Sequence, residues 1–176
     1  VFETYNLPKR ASGKITFKFS LTVLTVLHVA CVFGAAIETW RGPAQISAAL
    51  AWSGVSLYLV ALVLRNWAKS TLANHWSLQI EILPSHQIVR DGPYKYVRHP
   101  AYTAIMLEVI AIPLACSAFN TLVLVSLPYI VFLIIRSHVE EKALLVAAAE
   151  DYQKFQNAIP RFMPNPLTLL RNRKAG

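Results

Sequence analysis

An all-α integral membrane protein is the fold that the sequence predicts: a small bundle of four transmembrane helices followed by a cytoplasmic amphipathic C-terminal helix, all one domain over residues 1–176. Three observations carry this. Hydrophobic residues make up 55% of the chain and charged residues only 15%, with a mean hydropathy of +0.43, whereas soluble domains carry about 25% charge. The apolar residues lie in long blocks, not in the short alternations of a half-buried sheet. The basic residues, finally, are strongly asymmetric about those blocks.

The chain opens with Val1–Gly13, a polar stretch that reads as an interfacial lead-in; the lack of an initiator Met reads as a trimmed or processed start. The first block, Phe19–Ile37, is interrupted only by His28 and is too long for a signal-peptide core. Arg41-Gly42-Pro43 punctuates it as a turn. The second block, Ala44–Leu64, carries no charge and meets the roughly 20 residues needed to span ~30 Å of hydrocarbon. Its helix is expected to continue toward Ser77, with Trp67 and Trp76 at the depth that suits amphipathic rings. Gln79–Leu83 reads as a short extended piece, and Pro84-Ser85-His86 and Asp91-Gly92-Pro93 as turns.

The third block, Ala101–Phe119, contains Glu108, an acid that is costly in lipid and is expected to face the bundle. The fourth, Asn120–Ile135, is short and is expected to run on beyond Arg136. Pro113 and Pro128 fall inside these spans, where neighbouring groups satisfy the carbonyls that proline frees. After Arg136, Leu144, Ala148, Tyr152 and Phe155 recur at helical spacing among acids and Lys154, the pattern of an amphipathic helix. It is expected to end before Pro160.

Of the 17 Lys and Arg residues, four precede the first block, five lie from Arg65 to Arg98 and seven from Arg136 onward, while Arg41 alone lies in the first turn. The positive-inside rule then places both termini and the middle loop in the cytoplasm, with basic segments facing anionic membrane lipids. A net charge of +8 spread in this way argues against nucleic acid as a partner. Cys31 and Cys116 both fall within spans, where they behave as small apolar residues. Neither a disulfide framework nor a metal site is expected at that count and placement.

Chemistry-bearing side chains concentrate in two clusters. One runs from Gly92 to Tyr102 (Gly-Pro-Tyr-Lys-Tyr-Val-Arg-His-Pro-Ala-Tyr), entering the third span; the other, Arg136-Ser137-His138-Val139-Glu140-Glu141, leaves the fourth. The Ser117–Asn120 turn is so short that the two spans must form an antiparallel hairpin, which brings the clusters together at one end. Bland readings stand beside this one. His99 before Pro100 can serve simply as a loop cap, Arg98 and Arg136 as interfacial anchors, and Glu140-Glu141 as a solvated first turn.

The sequence resembles the isoprenylcysteine carboxyl methyltransferase family, whose relatives include phospholipid methyltransferases. The resemblance rests on His86-Gln87-Ile88-Val89, Gly92-Pro93-Tyr94 and Tyr96 to Tyr102, then on Glu140-Glu141 with Leu144, Tyr152 and Phe155, and finally on Pro160-Arg161-Phe162-Met163-Pro164. Ala104, and Ala148-Ala149, stand where the family often has glycine and Phe-Gly. The resemblance covers residues 79–164 and implies an S-adenosylmethionine-dependent methyltransferase. Carried over by position, it implies cofactor contacts at Gln79, at His86, Gln87, Ile88 and Val89, at Tyr94, at His99, Pro100, Ala101 and Tyr102, and at Glu140. It implies that Arg136 grips and orients the methyl acceptor.

Those residue types suit that role. A carboxylate accepts hydrogen bonds from ribose hydroxyls or an ammonium, Gln and His bond nucleoside heteroatoms or a carboxylate, and tyrosine faces suit a sulfonium cation. The expected acceptor is a prenylated or otherwise lipid-like molecule methylated on oxygen at the cytoplasmic face. A carboxylate acceptor needs only orientation; a phenol, a pyrone or a protonated amine needs a base, for which His138, His99 and Glu141 are the local candidates. N-methylation of a phospholipid amine, and a non-catalytic membrane scaffold or binding protein, remain the alternatives.

Overall fold

The computed structural model describes residues 14–17, 19–42, 46–72, 80–82 and 88–165. Four helices dominate it: α1 (Ser20–Arg41), α2 (Ala48–Leu72), α3 (Pro100–Ala115) and α4 (Phe119–Ala147), with a shorter α5 (Ala149–Ala158) after them. One short antiparallel ribbon pairs β1 (Lys14–Thr16) with β2 (Ile80–Ile82). The extended piece expected at Gln79–Leu83 thus appears at residues 80–82, and its partner is the lead-in segment.

Three helices, α1, α2 and α4, are long and apolar enough to cross a membrane, where four spans were expected. The third block forms a helix of only 16 residues, about 24 Å long at 1.5 Å per residue. It stops early because Pro113 lies in its last turn and the chain reverses through Cys116–Ala118, with Ser117 at φ 53°. The fourth block, as expected, runs far past Arg136.

Both span prolines have local solutions. Pro113 has no N–H for the carbonyl of Val109, four residues earlier. That carbonyl instead accepts from Ser126 Oγ at 2.5 Å and from Cys31 Sγ at 3.6 Å. Near Pro128 the helix widens to π geometry over Leu122–Ser126, a common way to absorb a disturbed ladder.

The helices pack with side chains largely outward toward lipid. Exposed residues include Trp40, Trp52, Val63 and Leu124, while Leu24, Cys31, Val109, Tyr129 and Leu133 form the core. α2 lies along α3, so closely that a Cβ on Gly54 would collide with the backbone of Ala115. Glu108 of α3, 1% exposed, faces inward as expected, and the partly exposed Arg65 of α2 reaches it at 2.9 Å.

α3 connects the same two end layers as α1. At one end Tyr102, Arg136 and Ser20 are hydrogen bonded in series. At the other, Thr39 bonds the carbonyl of Cys116. There too the Glu38 carboxylate accepts from the backbone N–H groups and side chains of Asn120 and Thr121, filling donors that the start of α4 leaves open.

The amphipathic helix expected after Arg136 is divided. α4 continues to Ala147, the backbone breaks at Ala148 (φ −141°, ψ 51°), and α5 begins. Tyr152 and Phe155 turn inward and pack with Leu144, Ile159 and Ile88, while Glu150, Asp151 and Lys154 stay exposed.

Candidate active site

The α3–α4 hairpin brings the two motif clusters into contact at one end, and the segment after α5 folds back over both. Glu140 and Glu141 are adjacent on α4, so their side chains diverge by about a quarter turn of the helix. Each serves a different network.

Glu140 Oε2 accepts from the Tyr102 hydroxyl at 2.5 Å, and the hydroxyl oxygen of Tyr102 in turn accepts from Arg136 Nε at 2.8 Å. Arg136 also donates to Ser20 Oγ at 2.5 Å and lies 5.8 Å from the Tyr102 ring centroid. Arg136 and Glu140, four apart on one helix face, thus meet at one phenol. At 2% exposure Arg136 is no interfacial anchor.

Glu141, also 2% exposed, gathers two guanidinium groups and an imidazole. Arg98 reaches it through Nε at 3.0 Å and a terminal nitrogen at 2.9 Å, and Arg161 through Nε at 3.1 Å and a terminal nitrogen at 2.6 Å. His99 Nε2 lies 3.0 Å away and Gln156 adds a bond at 3.3 Å. Removing several charges from water is costly unless they pair and their remaining hydrogen bonds are made, and here they are. Arg98 also donates to the carbonyls of Gln156 and Ile159. It therefore points inward, which corrects its reading as a lipid-facing anchor. Nor is the Glu140-Glu141 pair a solvated turn.

His99 precedes α3, with Pro100 at the first helical position, where its missing N–H costs nothing. The His99 ring makes no cap bond to the helix. It stacks on Tyr102 with centroids 5.3 Å apart and planes 5° from parallel. The N–H of Arg98 donates to Pro160 and that of His99 to Arg161, while Thr103 Oγ bonds the carbonyl of Phe162. Residues 156–162 are thereby strapped across the motif loop.

Gly92 begins the 3-10 turn Gly92–Lys95 at φ +54°, a conformation that glycine adopts readily. A side chain there would also strike Thr71. The turn delivers Tyr94 into a pocket with Ala68 and Ala101, flanked by Leu72 and Val89. Burial pushes the Tyr94 phenol above its ordinary pKa, and the nearby Glu140 charge adds to the shift. Burial likewise raises that of Tyr152, helped by Glu141.

The structure thus brings together Tyr94, His99, Tyr102, Arg136 and Glu140 of the expected site, and with them Pro100 and Ala101, both buried at the start of α3. Ile88 and Val89 sit beside it, packed against the α5 cluster and the Tyr94 cluster respectively. Gln79, His86 and Gln87 lie outside the described residues. His138 is exposed and bonded to Arg161 at 2.6 Å. Two residues take a larger part than the sequence reading gave them: Glu141, named there within the paired-acid motif and as a possible base, and Arg161, named only within a motif. The available signal was the pairing of a Glu-Glu step with arginines in both flanking motifs.

Comparison with other proteins finds relatives of this chain. The chain is 35% identical over 94 residues to the uncharacterized protein YpbQ of Bacillus subtilis, a match covering 53% of this chain and 56% of YpbQ. It is 36% identical over 137 residues to an uncharacterized protein of Haemophilus influenzae, covering 76% of this chain and 78% of that one. The model of the isoprenylcysteine carboxyl methyltransferase family matches residues 54–146, from α2 through the Glu140-Glu141 pair. With its membrane helices and this match over more than half its length, the chain belongs to the isoprenylcysteine carboxyl methyltransferase family, whose activity is that of a methyltransferase.

Proposed function

We propose that the protein is an S-adenosylmethionine-dependent O-methyltransferase acting on a lipid-like or prenylated acceptor, with its site at the cytoplasmic face of the membrane. The observation that carries this reading is the Arg136–Tyr102–Glu140 chain. It joins the end of the apolar α3–α4 hairpin to the polar cluster beneath the strap of residues 156–162.

The donor set fits the cofactor. Oε1 of Glu140 and Nδ1 of His99 make no hydrogen bond among the described residues, so both are available to hydroxyl, amine or ammonium hydrogens. The rings of Tyr94 and Tyr102 supply apolar walls with π faces that favour a cation. When bound, S-adenosylmethionine supplies an electrophilic methyl group on a sulfonium.

The protein's share is positioning and exclusion of water. Holding two reactants in line is worth up to about 7–11 kcal/mol. Glu140 grips the donor side, and Arg136, four residues earlier on the same face, holds the polar head of the acceptor. An ionised carboxylate needs no base and only this orientation. The strap and α5 close the pocket toward water. In this proposal α3 is the fourth crossing. It connects the same end layers as α1, and the mismatch of its ~24 Å length is met by local thinning of the bilayer.

Incubation of the purified protein with methyl-labelled S-adenosylmethionine and membrane lipids, followed by mild base, tests the reading. Label transferred to lipid and released by base identifies an ester. Stable label on oxygen identifies an ether, and stable label on nitrogen identifies the phospholipid amine methyltransferase instead. Tight cofactor binding with no transfer to any lipid extract would leave a binding or scaffold protein.

A further inference from the structure

Glu141 lies outside the donor set just described, yet one of its bonds fixes a property of that set. An ionised carboxylate only accepts hydrogen bonds. With Arg98 and Arg161 both bound to it, the 3.0 Å contact to His99 Nε2 requires a hydrogen on that nitrogen. In the neutral ring the lone pair then belongs to Nδ1. Among the described residues the only fully sealed side-chain polar atom without a partner is Oε1 of Glu108. Nδ1 of His99 is therefore both unbonded and reachable, although the residue is just 7% exposed. The ring cannot easily turn. Tyr102 stacks on its face, Phe162 lies 6.0 Å from its centroid, and its backbone N–H is tied to Arg161.

We propose that Glu141 is a positioning residue that holds His99 as the Nε2–H tautomer, so that Nδ1 meets the methyl donor as a hydrogen-bond acceptor. The group received there is a hydroxyl, amine or ammonium of the nucleoside or its amino acid, and a carboxylate at that point is excluded. This rests on the methyltransferase reading above. It assigns unequal roles to the paired acids: Glu140 touches the ligand, while Glu141 acts through the imidazole. His99 Nε2 shares Oε1 of Glu141 with Arg98 and with Nε of Arg161, so in Glu141→Gln an amide oxygen at that place keeps all three. In Glu141→Leu the acceptor is gone and the two guanidinium groups are left facing Nε2; the ring then moves its hydrogen to Nδ1 and presents a donor to a donor.

The test is the side-chain nitrogen NMR spectrum of protein labelled with 15N-histidine in nanodiscs, with the His99 signals assigned by their loss in His99→Asn. Affinity for S-adenosylhomocysteine is measured by calorimetry on the same samples. Wild type is expected in the Nε2–H form. Glu141→Leu is expected to shift to the Nδ1–H form and to bind about tenfold more weakly, and Glu141→Asp to keep the wild-type tautomer and most of the affinity. A purely structural role would lower the unfolding temperature of Glu141→Leu and leave its tautomer unchanged.

An Nδ1–H or imidazolium His99 in the wild type overturns the proposal, and this decides the matter even if Glu141→Leu fails to fold. So does a folded Glu141→Leu with wild-type tautomer and affinity. If the wild type shows the Nε2–H form but binds no S-adenosylhomocysteine, the methyltransferase reading fails, and the ligand half of the proposal fails with it.

Discussion

The Tyr102 hydroxyl is the single atom through which the proposed donor and acceptor halves of the site touch, since it accepts from Arg136 and donates to Glu140. Tyr102→Phe removes that atom and keeps the ring that stacks on His99. Leaving a buried donor or acceptor unmatched costs about 1–3 kcal/mol, so methyl transfer per folded molecule is expected to fall roughly ten- to hundredfold. An unchanged rate in a transfer assay would show that the phenol does not couple the two halves. Arg98 is a different kind of residue. Arg98→Ala leaves Glu141 short of a partner and frees the carbonyls of Gln156 and Ile159. Removing one partner of a buried ion cluster typically costs about 3–5 kcal/mol. A markedly lower unfolding midpoint is expected, with protease cleavage appearing between residues 156 and 162. Much of this was legible in residue order. The i, i+4 step from Arg136 to Glu140 puts both on one helix face, and the structure joins them at one phenol. The split between Glu140 and Glu141 was not legible, because two identical neighbouring side chains differ only in what the fold sets opposite each.

At the scale of elements, the blocks located the helices, and their ends depended on single residues. The third block reads as apolar through Phe119 apart from Glu108, but hydropathy does not register that Pro113 frees a carbonyl or that the backbone at Ser117 is left-handed. α3 therefore ends at Ala115. The rescue of the Val109 carbonyl by Ser126 makes the energetics testable. Ser126→Ala alone deprives that carbonyl of its shorter hydrogen bond, at a cost of about 1–3 kcal/mol. Pro113→Ala restores the helical N–H donor four residues on, so the serine becomes redundant. A double-mutant cycle on unfolding midpoints in detergent is expected to show Ser126→Ala costing clearly less in the Pro113→Ala background than in wild type. Equal costs in both backgrounds would mean that the serine stabilises the bundle by some route other than this carbonyl. The break at Ala148 was equally hidden, since the apolar spacing of Leu144, Tyr152 and Phe155 carries on through it. What sets it is tertiary: Tyr152 and Phe155 turn inward to pack on Ile88 and Ile159.

For the whole molecule, the proposed orientation rests on charges that the fold lets one sort more finely. Arg65 pairs with the buried Glu108, and Arg136 is engaged inside the bundle with Tyr102 and Ser20, so neither serves as a loop charge. The remaining basic residues still fall before α1, from Lys69 in the last turn of α2 to Arg98 before α3, and after the apolar part of α4, with Arg41 alone at the opposite end. That bias is what holds a segment on the cytoplasmic side. If α3 completes the crossing that its shared end layers with α1 imply, the chain crosses an even number of times. The strap and the N-terminal segment then lie on one side, and the α1–α2 turn on the other. Single cysteines in a Cys31→Ala, Cys116→Ala background resolve this. Trp40 and Asn157 are exposed, one at the end of α1 and the other on α5, and neither makes a contact that holds the site together. With a membrane-impermeant maleimide, Asn157→Cys is expected to react in inverted vesicles and Trp40→Cys in right-side-out cells. Labelling of both from one side would mean that α3 does not cross, and the site would then have to take its lipid substrate through a three-span scaffold.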